Sequence, residues 1–149
     1  CTELFPVVVL RLFLTYGPVQ NSERFIPQII KGCLNNENFP ASLGDQLRDF
    51  CYVEDTVNAI IKSLSADKAL GQVINIASGK PISIQQMIVT IQKDIGKGHP
   101  KFGLIPYRSG ENMNLYADIE KAKRLLNWRP KVTLKDGLKN TIEWYRENE

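Results

Sequence analysis

Residues 7–13 read Val-Val-Val-Leu-Arg-Leu-Phe, an apolar, β-branched run that Gly17-Pro18 closes. A run without polar alternation, bounded by a turn signal, predicts a strand covered on both faces of a parallel sheet. Val73-Ile74-Asn75-Ile76-Ala77, closed by Ser78-Gly79, reads the same way. Parallel strands need long crossovers, and the chain supplies helical periodicity between them. Phe25, Ile26, Ile29, Ile30, Cys33 and Leu34 define one predicted amphipathic helix; Val53, Val57, Ile60, Ile61 and Leu64 define a second. Ser83 followed by Gln86 predicts a capping box for a third, with Ile84, Met87, Ile88, Ile91 and Ile95 on its buried stripe. Asp118 is placed to cap a short helix ending at Asn127, and Thr133 with Asp136 to cap a last helix burying Leu134, Leu138, Thr141, Ile142 and Tyr145. The alternation gives an α/β domain without internal repeats. Few strands are visible for a sheet whose members need neighbours on both sides, so the chain is expected to be part of a larger sheet.

Composition excludes several classes. A chain of 149 residues, 43% hydrophobic and 23% charged, can bury a core. Its 19 basic and 16 acidic residues are dispersed, so the net charge of +3 forms no block that calls for nucleic acid or an anionic membrane. No apolar run approaches the roughly 18 residues of a membrane span, and no signal peptide is read at the start. Cys1, Cys33 and Cys51 are an odd set without metal-ligand spacing, which suits a reducing, cytoplasmic setting with Cys33 and Cys51 as buried hydrophobes. His99 lies in a turn-like run, as a solvated histidine would. Ser78-Gly79-Lys80 lacks the first glycine and the hydroxyl residue of a phosphate loop.

Three segments carry the chemistry: Leu10-Arg11-Leu12-Phe13-Leu14-Thr15-Tyr16-Gly17-Pro18, then Arg48-Asp49-Phe50-Cys51-Tyr52-Val53-Glu54-Asp55, then Leu126-Asn127-Trp128-Arg129-Pro130. In that order and spacing they resemble the C-terminal half of an extended short-chain dehydrogenase/reductase, the family of NAD-dependent nucleotide-sugar epimerases and dehydratases. The resemblance covers residues 7–145. It implies the end of a Rossmann-like, doubly wound parallel sheet with a small α/β substrate-binding domain: last strands at about 7–13 and 73–77, interleaved with a nucleotide-sugar-binding subdomain at about 18–55 and 78–149. The Gly-rich dinucleotide turn and the Tyr-x-x-x-Lys pair of such an enzyme do not occur in these 149 residues. The dinucleotide-binding half is thus expected outside this chain. The chain alone is expected to be inactive and to bind no NAD or NADP, which would serve the full-length parent.

The resemblance also assigns residues. Arg48 matches the arginine that grips the substrate diphosphate. Arg108, in Tyr107-Arg108-Ser109-Gly110-Glu111 ahead of Ala117-Asp118-Ile119-Glu120-Lys121-Ala122, matches the second diphosphate arginine, and Glu111 the acid near the nucleotide ribose. The residue type suits the task, since a planar guanidinium donates two parallel hydrogen bonds to phosphate oxygens. Asp49 reads as an acceptor for nearby backbone donors. Phe39-Pro40-Ala41-Ser42-Leu43-Gly44-Asp45 resembles the family strand whose backbone reads the base edge, which implies Ala41 and Leu43; an ordinary edge strand broken by Gly44 would look the same. The loop from Gly44 to Arg48 is shorter than the family's Gly-Asp-Gly form. Phe25, in Phe-Ile-Pro, is implied at the substrate cleft, and Leu14 and Tyr16 at the cofactor, although many members carry Asn where this chain has Leu14. No catalytic residue and no metal ligand is assigned.

The implied partner is a nucleotide-diphosphate sugar, with a homo-oligomer, in this family a dimer, as the assembly. Epimerase, dehydratase, decarboxylase and 4-keto reductase all fit the resemblance, as do uridine, thymidine, cytidine and guanosine nucleotides. A non-catalytic nucleotide-sugar-binding module would present the same binding residues, and an oligomerisation module, which the half-covered sheet favours, would self-associate tightly without nucleotide affinity.

Overall fold

A computed structural model describes residues 6–148; Cys1 and Phe5 lie outside them. The apolar run begins as β1, Val9–Leu12, and after a one-residue break at Phe13 continues as β2, Leu14–Tyr16. This continuous strand changes partner along its length. β1 pairs in parallel with β6, Val73–Ile76, whereas β2 pairs in parallel with β5, Phe50–Tyr52. The Phe13 N–H donates to the Ile76 carbonyl at 3.0 Å and bridges the two halves. Two smaller sheets lie further on. β3, Asn38–Pro40, pairs in parallel with β8, His99–Lys101. β4, Leu47–Arg48, lies between β7, Ile82–Ser83, and β9, Asn114–Leu115.

Among the described residues five α-helices cover these strands: α1 Phe25–Leu34, α2 Val53–Ser63, α3 Ile84–Ile95, α4 Glu120–Leu126 and α5 Leu134–Asn148. Their ends follow local chemistry. The Ser83 hydroxyl accepts from the Gln86 N–H, the Gln86 side chain accepts from the Ser83 N–H, and Gly96 at φ +80° ends α3 in the left-handed region. Asp118 accepts from the Glu120 N–H at the start of α4, and Asn127 at φ +46° closes it. Thr133 and Asp136 bond to each other at the start of α5.

β5 is buried on both faces and divides the interior. Phe50 and Tyr52 join Tyr16 and the apolar faces of α1, α3 and α5 in one cluster. Cys51 points the other way, to Ile74, Ile76, Ala122, Leu126 and Trp128. Tyr16 stands edge-on to Phe50 and Tyr52, with centroids at 6.4 and 5.6 Å, an arrangement that suits the ring quadrupoles. α5 comes close enough that a Cβ on Gly137 would sit 2.3 Å from the Tyr16 hydroxyl oxygen, so only glycine fits there.

Two expectations are corrected. β1 is not covered on both faces: Val9 and Leu12 are exposed, and among the described residues β6 is its one strand partner. The stripe expected to bury α2 faces solvent, with Val57, Ile60, Ile61 and Leu64 all exposed, while Asp55, Thr56 and Ala59 face inward. Periodicity marks a stripe without saying what covers it.

Cys33 and Cys51 are buried as free thiols, and burial pushes each from 9.0 up to about 11. An unfolded chain would release these protons first, so the stabilisation is intact below pH 9.0 and is lost as pH rises through about 11. Denaturant midpoints should therefore fall between about pH 8 and about pH 10.5, and fall less in a Cys33→Ala, Cys51→Ala variant. An identical fall in that variant would exclude the thiols as the cause.

Candidate functional site

Two segments distant in sequence run side by side and carry most of the candidate residues. The Ile105 N–H donates to the Ala41 carbonyl at 3.2 Å, and the Ala41 N–H to the Lys101 carbonyl at 3.0 Å. Next, the Tyr107 hydroxyl donates to the Asp45 carboxylate at 2.9 Å and accepts from the Asp45 N–H at 3.1 Å. Then Arg48 Nη2 donates to Glu111 Oε1 in an ion pair, and β4 pairs with β9 beyond it. Four rungs thus join residues 41–48 to residues 105–115. The 41–48 side is seated on α3, whose Ile84 and Gln85 N–H groups donate to the Gln46 and Gly44 carbonyls. Gly44, at φ +80°, would place a Cβ 2.6 Å from the Gln85 nitrogen, so this docking requires glycine.

The Arg48 side chain is 11% exposed, and Glu111 is 20% exposed. Besides Glu111, Arg48 Nη1 donates to the Leu47 carbonyl at 2.8 Å. Two anchors therefore orient the guanidinium while further N–H groups of its fork are left for a ligand. Arg108 is exposed, and no hydrogen bond or ion pair joins its side chain to the described residues. It shares a turn with Glu111, whose N–H donates to the Arg108 carbonyl at 3.0 Å. The arrangement offers an oriented cation, a free cation and a carboxylate on one strip, which is chemistry for an anion that also carries hydroxyl groups.

Other expected residues are placed differently. The Ala41 N–H and carbonyl are both engaged within the strip. Leu43 is 55% exposed and reaches toward Gly103. Phe25 opens α1 and stacks on Phe50 at 6.0 Å, so it packs against the core. Leu14 is exposed. Tyr16 is 2% exposed in the core, its hydroxyl directed at the Leu134 carbonyl and its ionisation pushed up by burial.

Asp45, Tyr107 and the Met113–Leu47 backbone bond went unread in the sequence, because a contact across some sixty residues leaves no local periodicity. Two surface clefts, both lined by Ser78 and Lys80, include none of Arg48, Arg108 and Glu111. Among the described residues no group of His, Cys, Asp and Glu could hold a metal, and no helix is long and apolar enough to cross a membrane.

A family model described as GDP-mannose 4,6 dehydratase matches residues 2–141. UDP-glucuronate 4-epimerase of Thermodesulfobacterium geofontis is 38% identical over 147 residues, covering 95% of this chain and 44% of that protein. dTDP-D-glucose 4,6-dehydratase of Homo sapiens is 33% identical over 150 aligned positions, covering 97% of this chain and 43% of that protein. UDP-glucuronic acid 4-epimerase from Bacillus cereus, solved in complex with UDP-glucuronic acid and NAD, superposes with a TM-score of 0.88 at 33% identity, covering 97% of this chain and 46% of that one. The chain spans less than half the length of these relatives.

Proposed function

Because this chain belongs to the family of NAD-dependent nucleotide-sugar epimerases and dehydratases, the extended short-chain dehydrogenase/reductases, we propose that it forms the nucleotide-sugar-binding portion of an NAD(P)-dependent epimerase, dehydratase or reductase. The observation that carries this reading is the Arg48–Glu111 pair, with the unpaired Arg108 in the same turn as Glu111. A sugar nucleotide presents a diphosphate beside a ribose. Arg48 and Arg108 donate to the diphosphate oxygens, and Glu111 accepts from a ribose hydroxyl while it keeps Arg48 aimed. Holding the guanidinium before the ligand arrives reduces the ordering cost of binding. Leu43, exposed at the end of the same strip, lies where a base edge would follow the ribose, and Ala41 supports that end through its backbone bonds.

The domain reading follows. β1 and β6 are the last strands of the Rossmann-type sheet, and residues 18–55 and 78–149 form the sugar-nucleotide subdomain. The nicotinamide supplies the hydride step in a full-length enzyme. In this reading the chain contributes binding and orientation of the sugar nucleotide. A homo-oligomer, in its simplest form a dimer, belongs to the same proposal, supported by the family and by the exposed apolar side chains of β1 and α2. The free thiols suit a cytoplasmic enzyme.

The test is a thermal-shift screen of the full-length enzyme with UDP, dTDP, CDP and GDP. A ligand at a hundred times its dissociation constant stabilises by about 2.7 kcal/mol, so at least one nucleotide should raise the melting temperature by several degrees. The 149-residue chain alone should show no nicotinamide-dependent turnover. No shift with any of the four nucleotides would contradict the binding reading, and turnover by the chain alone would contradict the division of labour.

A further inference from the structure

Asp49, next to the proposed diphosphate ligand, has an environment that the binding reading leaves unexplained. Its side chain is fully buried at 0% exposure. Oδ1 accepts from the Ser78 N–H at 2.7 Å and from the Ser78 hydroxyl at 2.6 Å, and Oδ2 accepts from the Gly79 N–H at 2.9 Å. No cation pairs with it among the described residues. A carboxylate removed from water without a counter-charge is costly, and three short donor contacts are what make it tolerable. An apolar residue would fill this position at lower cost if packing were its whole role, so a geometric role has to account for the charge.

The geometry supplies one. Asp49 is the single residue between β4, which carries Arg48, and β5, which is buried on both faces. Its carboxylate reaches across to the turn that leaves β6, where Ser78 and Gly79 follow the buried Ala77. That turn is rigid in its own right. Gly79 stands at φ +71°, with its Cα face closed by Ile119, and the Ser78 hydroxyl also accepts from the Lys80 N–H. β4 itself has two residues and pairs with equally short β7 and β9, too little ladder to fix a strand by itself.

We infer that Asp49 is a positioning residue for substrate binding: its carboxylate bolts the Arg48 strand to the turn after β6 and thereby fixes where the Arg48 guanidinium stands relative to the sheet. The inference rests on the proposed role of Arg48 in gripping a diphosphate. Two independent anchors then hold one arginine. Glu111 and the Leu47 carbonyl set the direction of its side chain, and Asp49 sets the position of its backbone.

Asp49→Asn is the discriminating change. The amide keeps one acceptor oxygen and turns a donor toward the N–H of Ser78 or Gly79, so at least one bond is lost to a donor–donor contact. Ser78→Ala is the milder companion, since it removes the hydroxyl bond and leaves both backbone donors in place. Each change is made in the full-length enzyme, alone and together with Arg48→Ala, and titrated calorimetrically with UDP, dTDP and NAD. Asp49→Asn should weaken the nucleotide that binds by about tenfold and Ser78→Ala by about two- to threefold, with NAD affinity unchanged. With Arg48 already Ala, both losses should disappear, because a residue that acts through Arg48 has nothing left to position. A loss that persists undiminished in the Arg48→Ala enzyme would overturn the inference, as would full nucleotide affinity in Asp49→Asn. Should Arg48→Ala alone leave nucleotide affinity intact, the binding reading itself fails and this inference goes with it.

Discussion

Replacing Trp128 with Ala should lower stability by about 3–5 kcal/mol, a large part of the 5–15 kcal/mol that holds a typical domain folded. Trp128 is 0% exposed and packs with Ile74, Ile76, Ala122 and Leu126. Its indole N–H donates to the Asp55 carbonyl at 3.0 Å. The Asp55 carboxylate in turn accepts from the Lys131 and Val132 N–H groups, at 2.9–3.0 Å. The left-handed Asn127 turns the chain out of α4 so that Trp128 can drop into this pocket. One side chain thus seals the second core cluster and ties the approach to α5 onto the first turn of α2. Trp128→Phe keeps most of the apolar area and leaves the Asp55 carbonyl without its donor, so it should cost about 1–3 kcal/mol. Denaturant unfolding followed by circular dichroism measures both. A loss below about 1 kcal/mol for Trp128→Ala would mean that the pocket collapses around the gap and that the indole does not organise this region.

How much the residues reveal of this molecule depends on the range of the interaction. α1, α3 and α5 were legible because a buried stripe repeats with the helix, and the starts of α3 and α5 because Ser83 with Gln86 and Thr133 with Asp136 act on their own neighbours. α2 was legible as a helix but not in its orientation. Val57, Ile60, Ile61 and Leu64 form an apolar stripe, yet Asp55, Thr56 and Ala59 face the interior, since Asp55 holds two backbone donors and small Ala59 lets the helix approach the core. The strands of two and three residues, β3, β4, β7, β8 and β9, are too short to show a period.

The same division applies to the candidate site. Arg48, Arg108 and Glu111 were picked out by motif resemblance, and the fold brings Arg48 and Glu111 into contact across 63 residues. The tethers that place them were not legible. Asp45 with Tyr107, and Asp49 with Ser78 and Gly79, meet only after the chain has folded. The burial of Tyr16 was hidden for a related reason, because a tyrosine beside a Gly-Pro turn reads alike whether its ring enters a cleft or a core.

The largest functional effect is expected from the two arginines. Each Arg→Ala change removes charge-assisted hydrogen bonds to a diphosphate and should weaken nucleotide binding by about 1.5–3 kcal/mol, roughly ten- to a hundredfold. Lysine should restore part of the loss at Arg48, since it returns the charge without the fork that spans Glu111, the Leu47 carbonyl and a ligand. At the exposed Arg108, lysine should restore more, because no second partner constrains the head group. The two sites share one ligand, so the double variant should depart from the sum of the single losses. The most direct measurement is calorimetric titration of UDP, dTDP and NAD into the full-length enzyme and its Arg48→Ala, Arg108→Ala and double variants. The account predicts at least a tenfold loss of nucleotide affinity in each single variant with NAD binding unchanged; nucleotide affinity within about twofold of the parent in both would show that these arginines do not hold the diphosphate.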